Sequence, residues 1–122
     1  MLQKRLTNSL PPSNMMEPSM SATLSIGPIE QIPPGEGRNF VIAEQEIAVF
    51  RTHADEIFAT QPYCPHRNGP LADGLVGDRR VVCPLHDRTF DLRNGQEIGG
   101  NCSSLKTFKV SLTEAKNIMI FL

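Results

Sequence analysis

No twelve-residue stretch of the chain sustains the apolar spacing of an amphipathic helix. The apolar residues come instead as short segments divided by Gly, Pro, Asn and Asp. These are Phe40-Val41-Ile42, Ile47-Ala48-Val49-Phe50, Ile57-Phe58-Ala59, Val81-Val82, Phe90-Asp91-Leu92, Phe108-Lys109-Val110 and Ile118 to Leu122. Leu24, Ile26 and Ile29 precede them, ahead of a turn at Ile32-Pro33-Pro34-Gly35. Segments of this length between turn formers predict a meandering all-β domain. The 122 residues suit one domain. Such a chain buries roughly two-thirds of its unfolded surface, enough for one modest core.

Charge and hydropathy remove whole classes of function. The chain carries 12 Lys+Arg against 13 Asp+Glu, a formal charge of −1, which is no electrostatic footprint for nucleic acid. The longest apolar run is the five residues Ile118 to Leu122, too short to span a membrane. No apolar run suited to a secretory leader occurs near the start. Three cysteines make a disulfide-stapled scaffold an unsuitable reading, and reduced thiols without a leader point to the cytoplasm. Residues 1–22 are rich in Pro, Ser, Thr and Asn and lack apolar periodicity; they read as a flexible N-terminal arm before a domain at 23–122.

The longest polar stretch of the domain runs from Pro62 to Gly77, and a loop of that length in a small domain is usually functional. It contains Cys64-Pro65-His66, and beyond sixteen intervening residues comes Cys83-Pro84-Leu85-His86. Each element offers one thiolate and one imidazole, together a Cys2His2 set suited to a soft metal centre. Proline after each cysteine removes a backbone donor and keeps the loop extended. A structural zinc is one occupant of such a set. Zinc fingers, however, usually pair cysteine with cysteine and histidine with histidine, whereas each half here mixes the two. A two-iron cluster with two cysteines on one iron and two histidines on the other takes mixed halves naturally.

The pattern Cys64-x-His66, sixteen residues, Cys83-x-x-His86 resembles the Rieske motif. The flanks Gly69-Pro70-Leu71-Ala72-Asp73-Gly74 and Phe90-Asp91-Leu92-Arg93-Asn94-Gly95 are similar to that family too. The resemblance implies a Rieske-like fold of stacked antiparallel sheets with a cluster-binding loop subdomain. It further implies one Rieske-type [2Fe-2S] cluster, with Cys64 and Cys83 on the inner iron and His66 and His86 on the outer. Replacing two thiolates by neutral imidazoles removes negative charge and raises the potential from about −400 mV into a range of about −150 to +300 mV. High-potential members place a disulfide between the cluster loops at positions matching Gly69 and Leu85. They also place hydroxyl donors to the cluster sulfurs at positions matching Arg88 and Phe90. Lacking both, this chain is expected toward the low end of the range.

An oxygenase would need a second iron site, typically two histidines and a carboxylate, and none of the 36 residues after His86 is a histidine. No Gly-x-Gly-x-x-Gly fingerprint for a nicotinamide or flavin occurs. The expectation is a one-electron carrier with no organic substrate of its own and no catalytic residues. Its partners would be a reductase and a terminal oxidoreductase. Cys83-Pro84-Leu85-His86-Asp87, and Gly99 to Cys102 leading into Thr107-Phe108-Lys109-Val110, resemble the small subunit of the assimilatory NAD(P)H nitrite reductase, whose partner is a sirohaem-bearing large subunit. Phe90-Asp91-Leu92-Arg93-x-Gly95 is equally similar to the ferredoxins of ring-hydroxylating dioxygenases, and a cluster-bearing regulatory subunit is a further alternative. Cys102 reads as a core or partly exposed thiol and His53 as a solvated turn residue. Gly99-Gly100 reads as part of a third loop near the cluster. Leu85 and Arg67 read as partner contacts at the tip.

Overall fold

A computed structural model describes residues 23–65, 68–85, 88–100 and 103–122. In chain order the strands are β1 (Thr23–Pro28), β2 (Glu36–Ile42), β3 (Gln45–Arg51), β4 (Ile57–Thr60), β5 (Leu75–Val76), β6 (Arg80–Val82), β7 (Thr89–Asp91), β8 (Thr107–Leu112) and β9 (Asn117–Phe121). Short 3-10 turns stand at Ile29–Gln31 and Leu71–Asp73. The expected apolar segments all lie in or beside strands, so the all-β reading holds.

Six strands form one antiparallel sheet in the order β1-β9-β8-β4-β3-β2. The other three form a small antiparallel meander, β5-β6-β7, inserted in sequence between β4 and β8. Strand β3 explains how the two sheets stack. Its side chains alternate in direction, as any strand's do. Ile47 and Val49 face a cluster built from the large sheet and the first 3-10 turn, with Ile29, Ile32, Ile42, Ile57, Ala59, Ile118 and Ile120. Ala48 and Phe50 face the opposite way, into a second cluster with Cys64, Leu71, Val76, Val81, Cys83, Phe90, Leu92 and Leu105. All four strand residues are fully buried, so β3 is a central layer with core on both faces.

The small sheet sits close to β2 as well. A Cβ on Gly37 would come within 2.7 Å of the Phe50 ring and 3.1 Å of the Ala72 backbone, so only a glycine lets the Leu71–Asp73 turn settle there. This packing fixes the base from which both cysteine loops project.

Candidate metal centre

The first loop leaves β4 at Gln61 and is tied down at once. Gln61 N–H donates to the Lys106 carbonyl at 2.8 Å, and its side chain accepts from Lys106 N–H at 2.7 Å. A bridge between Tyr63 and Pro70 narrows the loop, and Leu71 N–H donates to the Pro62 carbonyl. Inside it, Cys64 N–H donates to the Gly69 carbonyl and Asn68 N–H to the Cys64 carbonyl, both at 2.8 Å. Asn68 takes φ +58, a left-handed conformation that asparagine tolerates better than most residues. The Tyr63 hydroxyl donates to the Glu46 carboxylate on β3, and that bond holds the phenol pKa above its usual value.

The second loop joins β6 to β7. Cys83 N–H donates to the Arg88 carbonyl at 2.7 Å, closing the segment 83–88 at its base. A third segment follows β7: Gly95 N–H donates to the Asp91 carbonyl, Leu105 N–H to the Gly95 carbonyl, and Ile98 N–H to the Thr89 carbonyl. Gly95 takes φ +81, and a Cβ there would collide with the Leu105 carbonyl oxygen. Glycine is therefore required by two independent constraints at that position.

Both cysteines of the motif are fully buried, in the same apolar cluster. The two cysteine loops touch each other. A Cβ on Gly69 would lie 2.7 Å from Cys83 Sγ and 3.1 Å from Leu85 Cγ. Positions 69 and 85, where the high-potential relatives carry their disulfide, thus face each other here as bare backbone against leucine. Two buried thiols from separate loops, in one apolar cluster and with the space beside Cys83 Sγ kept clear by Gly69, fit the thiolate half of the expected set. His66 and His86, the imidazole half, lie outside the described residues, as do Arg67, Asp87, Asn101, Cys102 and the arm 1–22.

A Rieske [2Fe-2S] domain signature matches residues 22–109. The chain belongs to the Rieske [2Fe-2S] family. It is a Rieske electron-transfer protein, and the cofactor of the family is one [2Fe-2S] cluster. It is 36% identical over 81 residues to the anthranilate 1,2-dioxygenase ferredoxin subunit of Burkholderia cepacia, spanning 66% of this chain and 74% of the relative. It is 35% identical over 96 residues to the nitrite reductase [NAD(P)H] of Emericella nidulans, spanning 73% of this chain but 8% of that much larger protein. In fold it matches a structure described as an NADH-dependent nitrite reductase small subunit from Mycobacterium tuberculosis. That match has a TM-score of 0.77 and 19% identity, covering 85% of this chain and 97% of the other.

Around this Rieske site the remaining expectations can be located. His53 is exposed in its turn, its ring lying over Gly35. Leu85 is 54% exposed beside Cys83's loop and Ile98 is 41% exposed on the third segment, so the tip carries apolar surface. Several arginines of the region are committed within the molecule: Arg79 to Glu56, Arg88 to Glu97 and Arg93 to Asp91. The Arg88–Glu97 pair is not visible in the sequence. Neither residue belongs to the cysteine and histidine pattern, and they lie nine positions apart until folding pairs them. No described helix is long and apolar enough to cross a membrane.

Proposed function

We propose that Cys64 and Cys83 hold one iron and His66 and His86 the other, and that the chain passes single electrons as the small subunit of an NAD(P)H nitrite-reductase-type system in the cytoplasm. The observation that carries the ligand assignment is the burial of both motif cysteines at one meeting point of two loops. When bound, the cluster supplies a one-electron couple in the range of about −150 to +300 mV. The chain's own residues do the rest. Cys64 and Cys83 sit in an apolar cluster that keeps water from the sulfurs. The bonds from Cys64 N–H to the Gly69 carbonyl and from Cys83 N–H to the Arg88 carbonyl tie the two ends of each ligand loop together. Leu85 offers an apolar contact at the tip.

The nitrite-reductase reading draws support from the 35% identity across 96 residues of a nitrite reductase, a longer aligned stretch than the 81 residues shared with the dioxygenase ferredoxin. A second reading, the ferredoxin of a ring-hydroxylating dioxygenase, is favoured by that ferredoxin's comparable identity over 74% of its own length. The arm 1–22 is proposed to be dispensable for either role.

The ligand assignment is tested on anaerobically purified protein by counting iron and acid-labile sulfide. Two of each per chain are expected, with loss in Cys64→Ser, His66→Ala, Cys83→Ser and His86→Ala. Colourless, zinc-loaded protein would end it. The partner is tested by rapid mixing of the reduced protein with a sirohaem nitrite reductase large subunit and, separately, with a ring-hydroxylating oxygenase. Oxidation within one turnover by the first alone is expected; oxidation by the second alone selects the ferredoxin reading. Re-oxidation by neither would leave a regulatory subunit.

A further inference from the structure

One buried charge near the metal-binding end has no place in the ligand set. The Glu97 side chain is 6% exposed and meets Arg88 through Oε2 and Nη1 at 2.7 Å. Arg88 stands immediately before β7, and its carbonyl is the one that accepts from Cys83 N–H. Glu97 bridges to Phe90, whose side chain shares a cluster with Cys83. Gly100 closes over the carboxylate: a Cβ there would run into the Glu97 side chain. A pair of opposite charges is thus wedged between Cys83's loop and the segment 97–100, covered on its acidic side by backbone.

Burying the Glu97 carboxylate, even beside an Arg88 side chain that stays 31% exposed, carries a desolvation cost and is seldom explained by stability alone. The buried carboxylate acts on a redox centre beside it far more strongly than a surface charge would, and the half-buried guanidinium does so to a lesser degree. A cationic guanidinium favours the reduced centre, which is one unit more negative. A carboxylate disfavours it.

We propose that Arg88 and Glu97 set the redox poise of the carrier as a balanced charge pair, while fastening Cys83's loop to the segment 97–100. This rests on the ligand reading given above. Both are positioning residues, touching neither the cluster nor a substrate in this account. The poise follows from the difference between their opposing fields, so the two charges move the potential in opposite directions.

Mediated spectroelectrochemical titration of the cluster-loaded protein tests it. Glu97→Gln is expected to raise the midpoint and Arg88→Gln to lower it. Each shift should correspond to a roughly threefold to tenfold change in the reduced-to-oxidised ratio, where tenfold is about 59 mV for one electron. The double variant Arg88→Gln/Glu97→Gln should fall between the two. Shifts of the same sign, or melting-temperature losses with an unmoved midpoint, would overturn the proposal, because a purely mechanical clasp predicts one or the other. If a single-charge variant fails to retain the cluster, Glu97→Asp and Arg88→Lys decide. They keep the charges and must load with the wild-type midpoint, and failure to load or a displaced midpoint counts against the pair. The ligand reading fails separately, through iron and sulfide content in the unmodified chain.

Discussion

A methyl group at position 69 would lie 2.7 Å from Cys83 Sγ, with the Leu85 side chain close behind it at 3.1 Å. A sulfur held by a metal cannot retreat, so Gly69→Ala is expected to weaken cluster retention and cost about 1–3 kcal/mol as overpacking. Gly77→Ala, where nothing lies within 4 Å, should stay within about 0.5 kcal/mol. Iron content and melting temperature of the two variants, side by side, check this. Asp91 supplies a pH prediction. Its carboxylate accepts from the Arg93 side chain at 2.8 and 3.1 Å and from the Arg93 backbone N–H, and the Arg93 side-chain bond is the main cause that holds its pKa below the ordinary 3.8. A group depressed in the folded state stabilises above its unfolded pKa and loses that contribution as pH falls through the folded value. Wild type should therefore melt above Asp91→Asn at neutral pH, by about 1 kcal/mol or less. That gap should narrow once the pH falls below the unfolded value of about 3.9 and close below the depressed folded one. A gap that persists in acid would mean that the effect is steric. At this scale the cysteines and histidines were legible because their types and spacing carry chemistry. Glu97 and Asp91 were not, because their importance lies in a neighbour brought close only by folding; Gly69 was legible only as the place of a missing disulfide, not as the residue that clears space beside Cys83.

The connection between β2 and β3 has two residues, Ala43 and Glu44, at φ +51 and +65, with Ile42 opposite Gln45. Two left-handed residues in a two-residue hairpin describe a type I′ turn, whose usual occupants are Asn and Gly. Ala-Glu gives no such signal, so the strands on either side were readable and the turn type was not. Each non-glycine residue there bears part of the left-handed penalty, and Ala43→Asn/Glu44→Gly is expected to raise stability by about 0.5–1 kcal/mol. A denaturant midpoint that falls or stays put would refute this turn assignment. Strand β5 was the other element hidden from the sequence. Leu75–Val76 is only two residues long, and Leu75 is 76% exposed, so no alternation could develop inside what reads as a polar loop. It exists because β6 offers a partner edge, with Leu75 opposite Val82 and Val76 opposite Val81. The longer elements β3, β8 and β9 were visible because each carries enough alternating or continuous apolar residues to show one buried face.

Over the whole molecule the two apolar clusters divide the labour. The one built on Ile29, Ile32, Ile47, Val49, Ile118 and Ile120 draws nothing from residues between β4 and β8. The other draws all its buried members except Ala48 and Phe50 from that insertion, with Phe58 of β4 packed against it, and includes both motif cysteines. Binding a metal only in the folded form adds its binding energy to the stability of whichever unit contains the ligands. Opening free energies within one protein differ between such units. Removing iron anaerobically with a chelator should therefore loosen one cluster and spare the other. Amide exchange at Cys64, Cys83 and Leu105, whose N–H groups bond within or against the insertion, is expected to quicken by orders of magnitude. Exchange at Ile118 and Ile120, paired with β1 and β8 in the large sheet, should change little. Uniform quickening across both sets would mean that β3, with core on each of its faces, couples the clusters into one cooperative unit. The large sheet would then be no independent platform for the metal-binding end. The opposite result would locate the cost of holding the cluster in the insertion alone, with the large sheet as its independent platform.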